Sequence, residues 1–297
     1  MIIDGTKISR TVEEECKAKV ENLQKKHPLS KPQLAFICVG NHPSSLSYIK
    51  RKKQKCHEVG ISSKDIFLPE SVSEEKLVQE IDILNHDLET HGILVQLPLP
   101  KHINPFAIME AVDPEKDVDG FHPINMGKLL LGEKDGFIPC TPLGIVKLLQ
   151  ASKIEIQGKH IVILGRSNIV GKPLAALLVQ KSLDGNATVT VAHSYTKNLA
   201  EVCKSADILI AAIGHAHFVK PEMVKKGAIV IDVGINKVTT DDHTRIVGDV
   251  DYEAVSPLCS YISPVPGGVG PMTIAMLLAN TVRSFEKKVF TLRKDNF

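Results

Sequence analysis

Short runs of β-branched and aliphatic residues recur along this chain, and amphipathic segments separate them. The runs cover residues 34–39, 92–97, 160–164, 188–192, 207–213 and 228–233. Several of them contain almost no polar residue, which is typical of strands buried on both faces of a parallel sheet. The intervening segments, such as 12–25 and 74–90, carry apolar residues at the spacing of one helix face. The alternation predicts a layered α/β architecture.

Length and charge limit the organisation of the chain and its partners. A chain of 297 residues is long enough for two domains of ordinary size. Its 36 basic side chains nearly balance its 34 acidic ones, which argues against a protein that coats nucleic acid or an acidic membrane. The first residues show no start of a signal peptide, and no apolar run reaches the roughly 18 residues of a membrane span.

The six cysteines are scattered and include no C-x-x-C pair, so the sequence favours neither a zinc site nor a disulfide framework. We interpret them as reduced, mostly buried thiols and expect a cytoplasmic protein. A protein of an organelle matrix that had lost its transit peptide would show the same pattern.

Residues that typically begin or interrupt helices predict a boundary between two domains near residue 140. Thr141 and Pro142 resemble a helix start, with Thr141 as N-cap of a helix over 143–150. Glycine and proline dominate residues 264–271, which predicts irregular structure there. A long helix is predicted over 273–290, followed by a loose tail from residue 291.

The segment after the predicted strand 160–164 has the features of a phosphate-binding loop. Gly165 and Gly171 flank a turn, and a helix is predicted over 174–180. A strand, a glycine turn and a helix N-terminus together form an anion site. Ser167 stands where a dinucleotide fingerprint usually has its second glycine, so its hydroxyl could hold the phosphate. The alternative is an ordinary glycine turn of an α/β protein.

The end of the next predicted strand favours NADP over NAD. NAD sites usually carry an acidic residue there, which holds the ribose 2′-hydroxyl. This strand end offers His193 and Ser194 and no acid, while Arg166 in the preceding loop supplies positive charge. The combination suits a 2′-phosphate. A polar strand end without any ligand is the alternative.

A predicted helix over residues 44–56 carries a candidate catalytic amine. Tyr48 and Lys52 lie four positions apart and therefore share a face. The neighbouring residues 50, 51, 53 and 55 are basic, and like charges together with burial would lower the pKa of Lys52. A lysine that is neutral near pH 7 can take or relay a proton. The alternative is a solvated basic face with no catalytic role.

Two further polar features stand near predicted strand ends. Gln96 is the one amide in the apolar run 92–97, and strand ends are where ligands bind in open α/β sheets. Asp113, Asp117 and Asp119 crowd a short loop whose spacing does not match an EF-hand. We favour a hydrogen-bond acceptor for a heteroaromatic ring over a metal site, and we predict no metal.

Six strings together resemble one family. In chain order they are Tyr48-x-x-x-Lys52, 96–100, 116–120, 139–142, 165–173 and 264–273. One such string carries little information, but six in this order are specific. The chain resembles the bifunctional methylenetetrahydrofolate dehydrogenase/methenyltetrahydrofolate cyclohydrolase family over roughly residues 5 to 284.

The resemblance implies a two-domain α/β fold. Residues 1–142 and 274–297 would form an α/β folate-binding catalytic domain completed by the C-terminal helix. Residues 143–273 would form a Rossmann-like NADP-binding domain. The implied activity is NADP-dependent oxidation of 5,10-methylenetetrahydrofolate to 5,10-methenyltetrahydrofolate, followed by hydrolysis to 10-formyltetrahydrofolate. The implied partners are tetrahydrofolate one-carbon derivatives and a second copy of the chain in a homodimer.

The resemblance also assigns roles to residues. Lys52 would be the catalytic lysine, Tyr48 would stack on the folate, Gln96 would support the proton state of Lys52, and Asp119 would anchor the pterin. Further folate-binding positions are implied at Leu97, Gly267, Gly268 and Pro271. Cofactor-binding positions are implied at Gly165, Arg166, Ser167, His193, Ser194 and Ile235.

Three alternatives to this function differ in one feature each. A dehydrogenase without cyclohydrolase activity would lack Lys52 or Gln96, and both are present. An enzyme that prefers NAD would lack Arg166 and Ser194. A silent folate- or NADP-binding regulator would lack Lys52. One departure from the family is His215, where relatives more often carry Lys or Arg.

Overall fold

The chain divides into two compact units. The computed structural model describes residues 1–239 and 244–294. The outer unit comprises Thr11–Cys140 and the segment that begins at Ile274, and the middle unit comprises Met1–Arg10 and Thr141–Thr273. In the described residues, no helix is both long and apolar enough to cross a membrane.

The first ten residues lie in a different unit from the predicted one. The predicted catalytic domain starts at residue 1, whereas Met1–Arg10 belong to the middle unit. Backbone hydrogen bonds explain the difference. The N–H of Ile3 donates to the Ile262 carbonyl over 2.8 Å, and the N–H of Thr6 donates to the Gly267 carbonyl over 3.1 Å.

Eight elements precede residue 140, and three of them form a parallel sheet in the order β2-β1-β3. The central strand β1 is buried along almost its whole length, because helices cover a parallel sheet on both faces. The elements are α1 (Gly5–Lys26), β1 (Gln33–Val39), α2 (Pro43–Glu58), β2 (Ser62–Leu68), α3 (Glu74–His86), β3 (Gly92–Val95), α4 (Pro105–Ala111) and α5 (Pro123–Leu131).

The later elements include a five-stranded parallel sheet in the order β10-β7-β6-β4-β5. The chain crosses from β5 back over β4 to β6, so the order reverses between β4 and β6. The elements are α6 (Cys140–Ala151), β4 (His160–Leu164), α7 (Gly171–Leu178), β5 (Thr188–Ala192), α8 (Leu199–Lys204), β6 (Ile208–Ala211), β7 (Ile229–Asp232), β8 (Asn236–Thr239), β9 (Thr244–Val247), α9 (Tyr252–Val255), β10 (Tyr261–Ile262) and α10 (Val269–Lys294).

The predicted α/β fold is confirmed, and each of the six predicted strands is present. The pattern of apolar runs in the sequence does not predict four further strands, β2, β8, β9 and β10. In β2, half-buried and exposed residues alternate and none is buried, and about half of its sequence is polar, whereas β1 is almost wholly buried. In β8 and β9, which pair as a hairpin, most residues are exposed.

Three helices begin earlier than predicted. Helix α6 begins at Cys140, so Thr141 is not its N-cap, and the Thr141 hydroxyl instead pairs with that of Thr273 at 3.0 Å. Helix α7 begins at Gly171. Helix α10 begins at Val269 inside the predicted irregular segment, since a proline in the first turn lacks only an N–H that has no helical partner. It extends to Lys294, and the rest of the predicted tail lies outside the described residues.

A buried lysine fastens α3 to the segment beside β3. The Nζ of Lys116 donates to the carbonyls of Leu84, Asn85 and Asp87 over 2.8, 2.6 and 2.8 Å. These carbonyls stand at the C-terminal end of the helix, where carbonyl groups no longer receive the regular helical hydrogen bond. Burial lowers the pKa of Lys116 to about 8, so the amine remains charged at neutral pH.

We predict that Lys116→Met lowers the free energy of unfolding by about 2–4 kcal/mol, because three buried carbonyls lose a charged donor. Lys64→Met is the matched control. Lys64 forms a more exposed ion pair with Asp87, and its loss should cost at most about 1 kcal/mol. Urea unfolding measures both variants. Equal losses would contradict the role given to Lys116.

Candidate catalytic and cofactor-binding residues

Helix α2 places Lys52 and Tyr48 on one buried face. Lys52 is only 5% exposed. Its Nζ lies 4.5 Å from the centroid of the Tyr48 ring, as expected for side chains four positions apart. Burial also raises the pKa of the Tyr48 phenol, which is therefore protonated at neutral pH. The helix begins with Pro43 in its first turn, which fixes the start of the helix.

Gln96 is the hydrogen-bond partner of the Lys52 amine. It follows β3 directly, and the Lys52 Nζ donates to its Oε1 over 3.2 Å. The Nε2 of Gln96 donates to the carbonyl of Leu97 over 2.7 Å. Because the amide nitrogen is engaged there, the oxygen is the atom that faces the amine.

Asp119 joins this group from a segment that runs beside β3. The N–H of Ile93 donates to the Lys116 carbonyl over 2.8 Å, which holds the start of the segment against the strand. Burial raises the pKa of Asp119, and the positive charge of Lys52 opposes this rise. The thiol of Cys140 donates to the Val118 carbonyl over 3.3 Å and also forms a hydrogen bond with the Asp119 side chain.

Burial is the main cause of the lowered pKa of Lys52. Asp119 and the thiols of Cys140 and Cys56 act in the opposite direction. Like charges on the helix, which the sequence suggests as a cause, are not among the leading influences on this pKa.

Two of the basic neighbours on α2 have acidic partners of their own, which helps to explain this correction. Lys53 forms an ion pair with Asp65. Lys55 forms ion pairs with Glu13 and Glu58, both over 2.8 Å. Their charges are thereby partly compensated, whereas Lys52 lies away from solvent. The structure thus brings together Tyr48, Lys52, Gln96 and Asp119 around an amine whose pKa burial lowers.

The loop after β4 in the middle unit passes very close to the backbone at the end of β6. Gly165 has a positive φ of 132°, and a Cβ added to it would lie 2.1 Å from the Ala212 carbonyl oxygen. Helix α7 then begins at Gly171, and the Ser167 hydroxyl accepts from the N–H groups of Val170 and Gly171 over 3.1 and 3.4 Å. A helix N-terminus and a glycine loop at a strand end suit the phosphates of a dinucleotide.

The turn after β5 lies beside that loop. The guanidinium of Arg166 stands 5.8 Å from the centroid of the Tyr195 ring. The Nδ1 of His193 accepts from the N–H of Tyr195 over 3.2 Å, and Ser194 is exposed between them. Arg166 is exposed as well. A charged donor and a hydroxyl therefore stand at the strand end where a 2′-phosphate would bind.

The remaining predicted site residues lie in several places. Leu97 follows Gln96 in the outer unit, and Ile235 is 60% exposed after β7 in the middle unit. Gly267 and Gly268 immediately precede α10, and Pro271 lies in its first turn. These three also belong to the middle unit.

For two residues near these groups, Asp117 and Cys140, the sequence shows the position but not the contacts. Asp117 accepts from the N–H groups of Gly120 and His122 over 3.1 and 2.7 Å and so shapes the loop that carries Asp119. Cys140 lay inside one of the matched strings, but nothing in the string indicated that its thiol would affect the pKa of the buried lysine of α2. Among the described residues, no three His, Cys, Asp or Glu side chains are placed to hold a metal ion.

Two family models match the chain. The catalytic domain of tetrahydrofolate dehydrogenase/cyclohydrolase matches residues 3–119. The NAD(P)-binding domain of tetrahydrofolate dehydrogenase/cyclohydrolase matches residues 139–289.

Individual proteins are similar over nearly the full length. The bifunctional protein FolD of Protochlamydia amoebophila (strain UWE25) is 54% identical over 290 residues, which cover 97% of this chain and 98% of the relative. The structure of the bifunctional enzyme FolD from Campylobacter jejuni has a TM-score of 0.92 at 49% identity and covers 97% and 99% of the two chains. The Trypanosoma brucei enzyme, complexed with NADP cofactor and inhibitor, has a TM-score of 0.92 at 37% identity and covers 97% and 98%.

We predict that Asp119→Asn lowers the pKa of Lys52 further, because the negative charge of Asp119 stabilises the ammonium form. NMR titration of protein with labelled lysine measures this pKa, and the Lys52→Arg spectrum assigns the signal. Asp113→Asn removes a carboxylate from the same loop that is not among the groups acting on Lys52, and should leave the pKa unchanged. An unchanged or raised pKa in Asp119→Asn would contradict the electrostatic account.

Proposed function

This chain belongs to the tetrahydrofolate dehydrogenase/cyclohydrolase family, and we propose that the buried amine of Lys52 carries its one-carbon chemistry. The chain is a bifunctional enzyme. It oxidises 5,10-methylenetetrahydrofolate to 5,10-methenyltetrahydrofolate with NADP and hydrolyses that product to 10-formyltetrahydrofolate. The observation that carries the proposal is the contact of an almost fully buried Lys52 with Gln96.

A low pKa suits Lys52 because of the charge on the intermediate product. Loss of a hydride from the methylene bridge leaves a cationic, amidine-like methenyl group. An ammonium beside this group would repel it, whereas a neutral amine does not. Burial, which lowers the pKa of Lys52, therefore favours formation of the cation.

The same amine can assist the hydrolysis. Water attacks the methenyl carbon, and a base must remove a proton from that water. Neutral Lys52 can accept this proton and return it to the folate nitrogen when the carbon–nitrogen bond breaks. The remaining hydroxyl proton leaves to solvent as the formyl C=O forms. Gln96 holds the amine through one N–H and presents only an oxygen to it, so the amine keeps a fixed position in both protonation states.

Asp119 and Tyr48 supply the folate-binding groups. The Asp119 carboxylate can accept from the amino and ring N–H groups of the pterin, which is a paired donor set. The Tyr48 ring offers an aromatic face beside the reacting amine. We include Leu97, Gly267, Gly268 and Pro271 among the substrate-binding residues.

The middle unit fits NADP. When bound, NADP accepts the hydride from the one-carbon bridge. The loop from Gly165 to the start of α7 suits its pyrophosphate, since the N-terminus of a helix directs backbone N–H groups and the positive end of its dipole at an anion. Arg166 and Ser194 would hold the 2′-phosphate, with Ser167 and His193 completing this region. Ile235, an exposed apolar side chain, would contact the nicotinamide.

We further propose a cytoplasmic homodimer that binds neither nucleic acid nor membrane. Strand β5 is the last strand of its sheet, and Val179, Leu183 and Val191 near it are exposed apolar residues, which suits contact with a second copy. Five buried cysteines and one half-buried cysteine, all unpaired, suit a reducing compartment. Light scattering tests the dimer.

We predict that Lys52→Met reduces hydrolysis of methenyltetrahydrofolate by at least about 100-fold, the lower range of general acid–base catalysis. NADP affinity, measured by calorimetry, should remain normal because the cofactor residues lie in the other unit. Lys53→Met is the control on the same helix, and its hydrolysis should match the wild type. Hydrolysis by Lys52→Met at the wild-type rate would refute the catalytic assignment.

We also predict that Arg166→Gln raises the KM for NADP by about tenfold or more, since a charged contact to the 2′-phosphate is lost. The KM for NAD, which lacks this phosphate, should change little. Initial rates at varied cofactor concentration give both constants. Equal increases for the two cofactors would show that Arg166 does not bind the 2′-phosphate.

A further inference from the structure

A fully buried carboxylate in the middle unit accepts hydrogen bonds from the loop after β6 and from Asn236, the first residue of β8, at the end of the loop after β7. Oδ2 of Asp249 accepts from the N–H groups of Ile213 and Gly214 over 2.7 and 2.9 Å. Its Oδ1 accepts from the N–H of His215 and from Nδ2 of Asn236, each over 2.9 Å. Asp249 is 0% exposed, so these donors satisfy a carboxylate that has no access to water.

The two loops both stand at the carboxyl edge of the sheet. Residues 213–215 follow β6, and residues 234–236 follow β7, the neighbouring strand. Strand β6 also neighbours β4, whose carboxyl end carries the Gly165 loop. The strand order reverses between β4 and β6, and ligands of open α/β sheets bind outside the carboxyl ends at such a reversal.

A second buried carboxylate holds Asp249 itself. Asp232, at the end of β7, accepts from the backbone N–H groups of Gly234, Asp249 and Val250, each over 2.9 Å. The approach of the 234 loop is close, since a Cβ on Gly234 would lie 2.3 Å from Oδ1 of Asp249. Burial raises the pKa of Asp232 to about 6. The two carboxylates therefore fix the relative position of both loops.

We infer that Asp249 is a positioning residue for the nicotinamide half of NADP. Its carboxylate joins the loop after β6 to the loop that carries Ile235, and these loops form the part of the cofactor site away from Arg166 and Ser194. The inference rests on the proposed cofactor site. Asp249 does not touch the cofactor in this account, because its oxygens are occupied by Ile213, Gly214, His215 and Asn236.

A positioning role and a purely structural role can be told apart, because they would affect the binding of different halves of the cofactor. Adenosine 2′,5′-bisphosphate contains the 2′-phosphate half of NADP and no nicotinamide. If Asp249 positions only the loops after β6 and β7, its substitution weakens binding of NADP and leaves binding of this fragment intact. If it merely supports the unit, both ligands lose affinity together.

The decisive variant is Asp249→Asn, because an amide offers one acceptor oxygen and directs its own N–H₂ at backbone donors. We expect the Kd and the KM for NADP to rise by about tenfold or more. The Kd of adenosine 2′,5′-bisphosphate, measured by calorimetry, should stay within about twofold of the wild type. Hydrolysis of methenyltetrahydrofolate without NADP should also be unchanged, since in the described residues Asp249 makes no hydrogen bond to Lys52, Gln96 or Asp119 and this reaction needs no cofactor.

Asp207→Asn is the matched control. Asp207 accepts from the backbone N–H of His160 over 3.0 Å and pairs with Lys225 over 2.8 Å, but it precedes β6 and so lies at the opposite end of the strand. All four measurements should match the wild type in this variant.

Asn236→Ala keeps the inference testable if Asp249→Asn does not fold. It removes one of the four donors, and we expect a rise of about two- to fivefold in the Kd of NADP alone. Normal NADP binding in both variants, or equal loss of NADP and fragment binding, would overturn the inference. A wild-type protein that fails to oxidise methylenetetrahydrofolate with NADP would instead contradict the proposed function.

Discussion

The burial of one amine constrains the architecture of the outer unit. Lys52 is a strongly hydrated group in water, and removing it from solvent disfavours its charged form. The fold supports it with groups from three different elements: Tyr48 on the same helix, Gln96 at the end of β3, and Asp119 in the segment beside β3. Because these elements are distant in sequence, the site forms only when the sheet and its covering helix have formed.

The fold could be predicted where one signal dominated. Buried parallel strands such as β1 are continuous apolar runs, and this pattern depends on the residues of the strand alone. Strand β2 lies at a sheet edge, carries polar residues and remained hidden, because its pairing with β1 depends on residues far away. Helix α10 began earlier than predicted, since Pro271 is compatible with a first helical turn.

The residues of the candidate site could be predicted from the sequence, but several of the interactions that give them their properties could not. Tyr48, Lys52 and Gln96 were recognisable from spacing and resemblance. Burial was named in advance as one cause of the lowered pKa of Lys52, but like charges were given equal weight, because the sequence shows neighbouring charges and not the acidic partners that compensate two of them. Asp249 was invisible for a related reason. The sequence gives no sign that this acidic residue has a role, and only the structure shows the four hydrogen-bond donors around Asp249.

The position of the amine relative to bound folate tests the central claim most directly. A crystal structure of the protein with a non-reactive 5-deaza analogue of tetrahydrofolate would locate the one-carbon position, which lies between ring position 5 and the side-chain nitrogen N10. The account predicts Nζ of Lys52 within hydrogen-bonding reach of that position, with its bond to Gln96 retained. An amine that points into bulk solvent, or that lies far from the pteridine, would contradict the account.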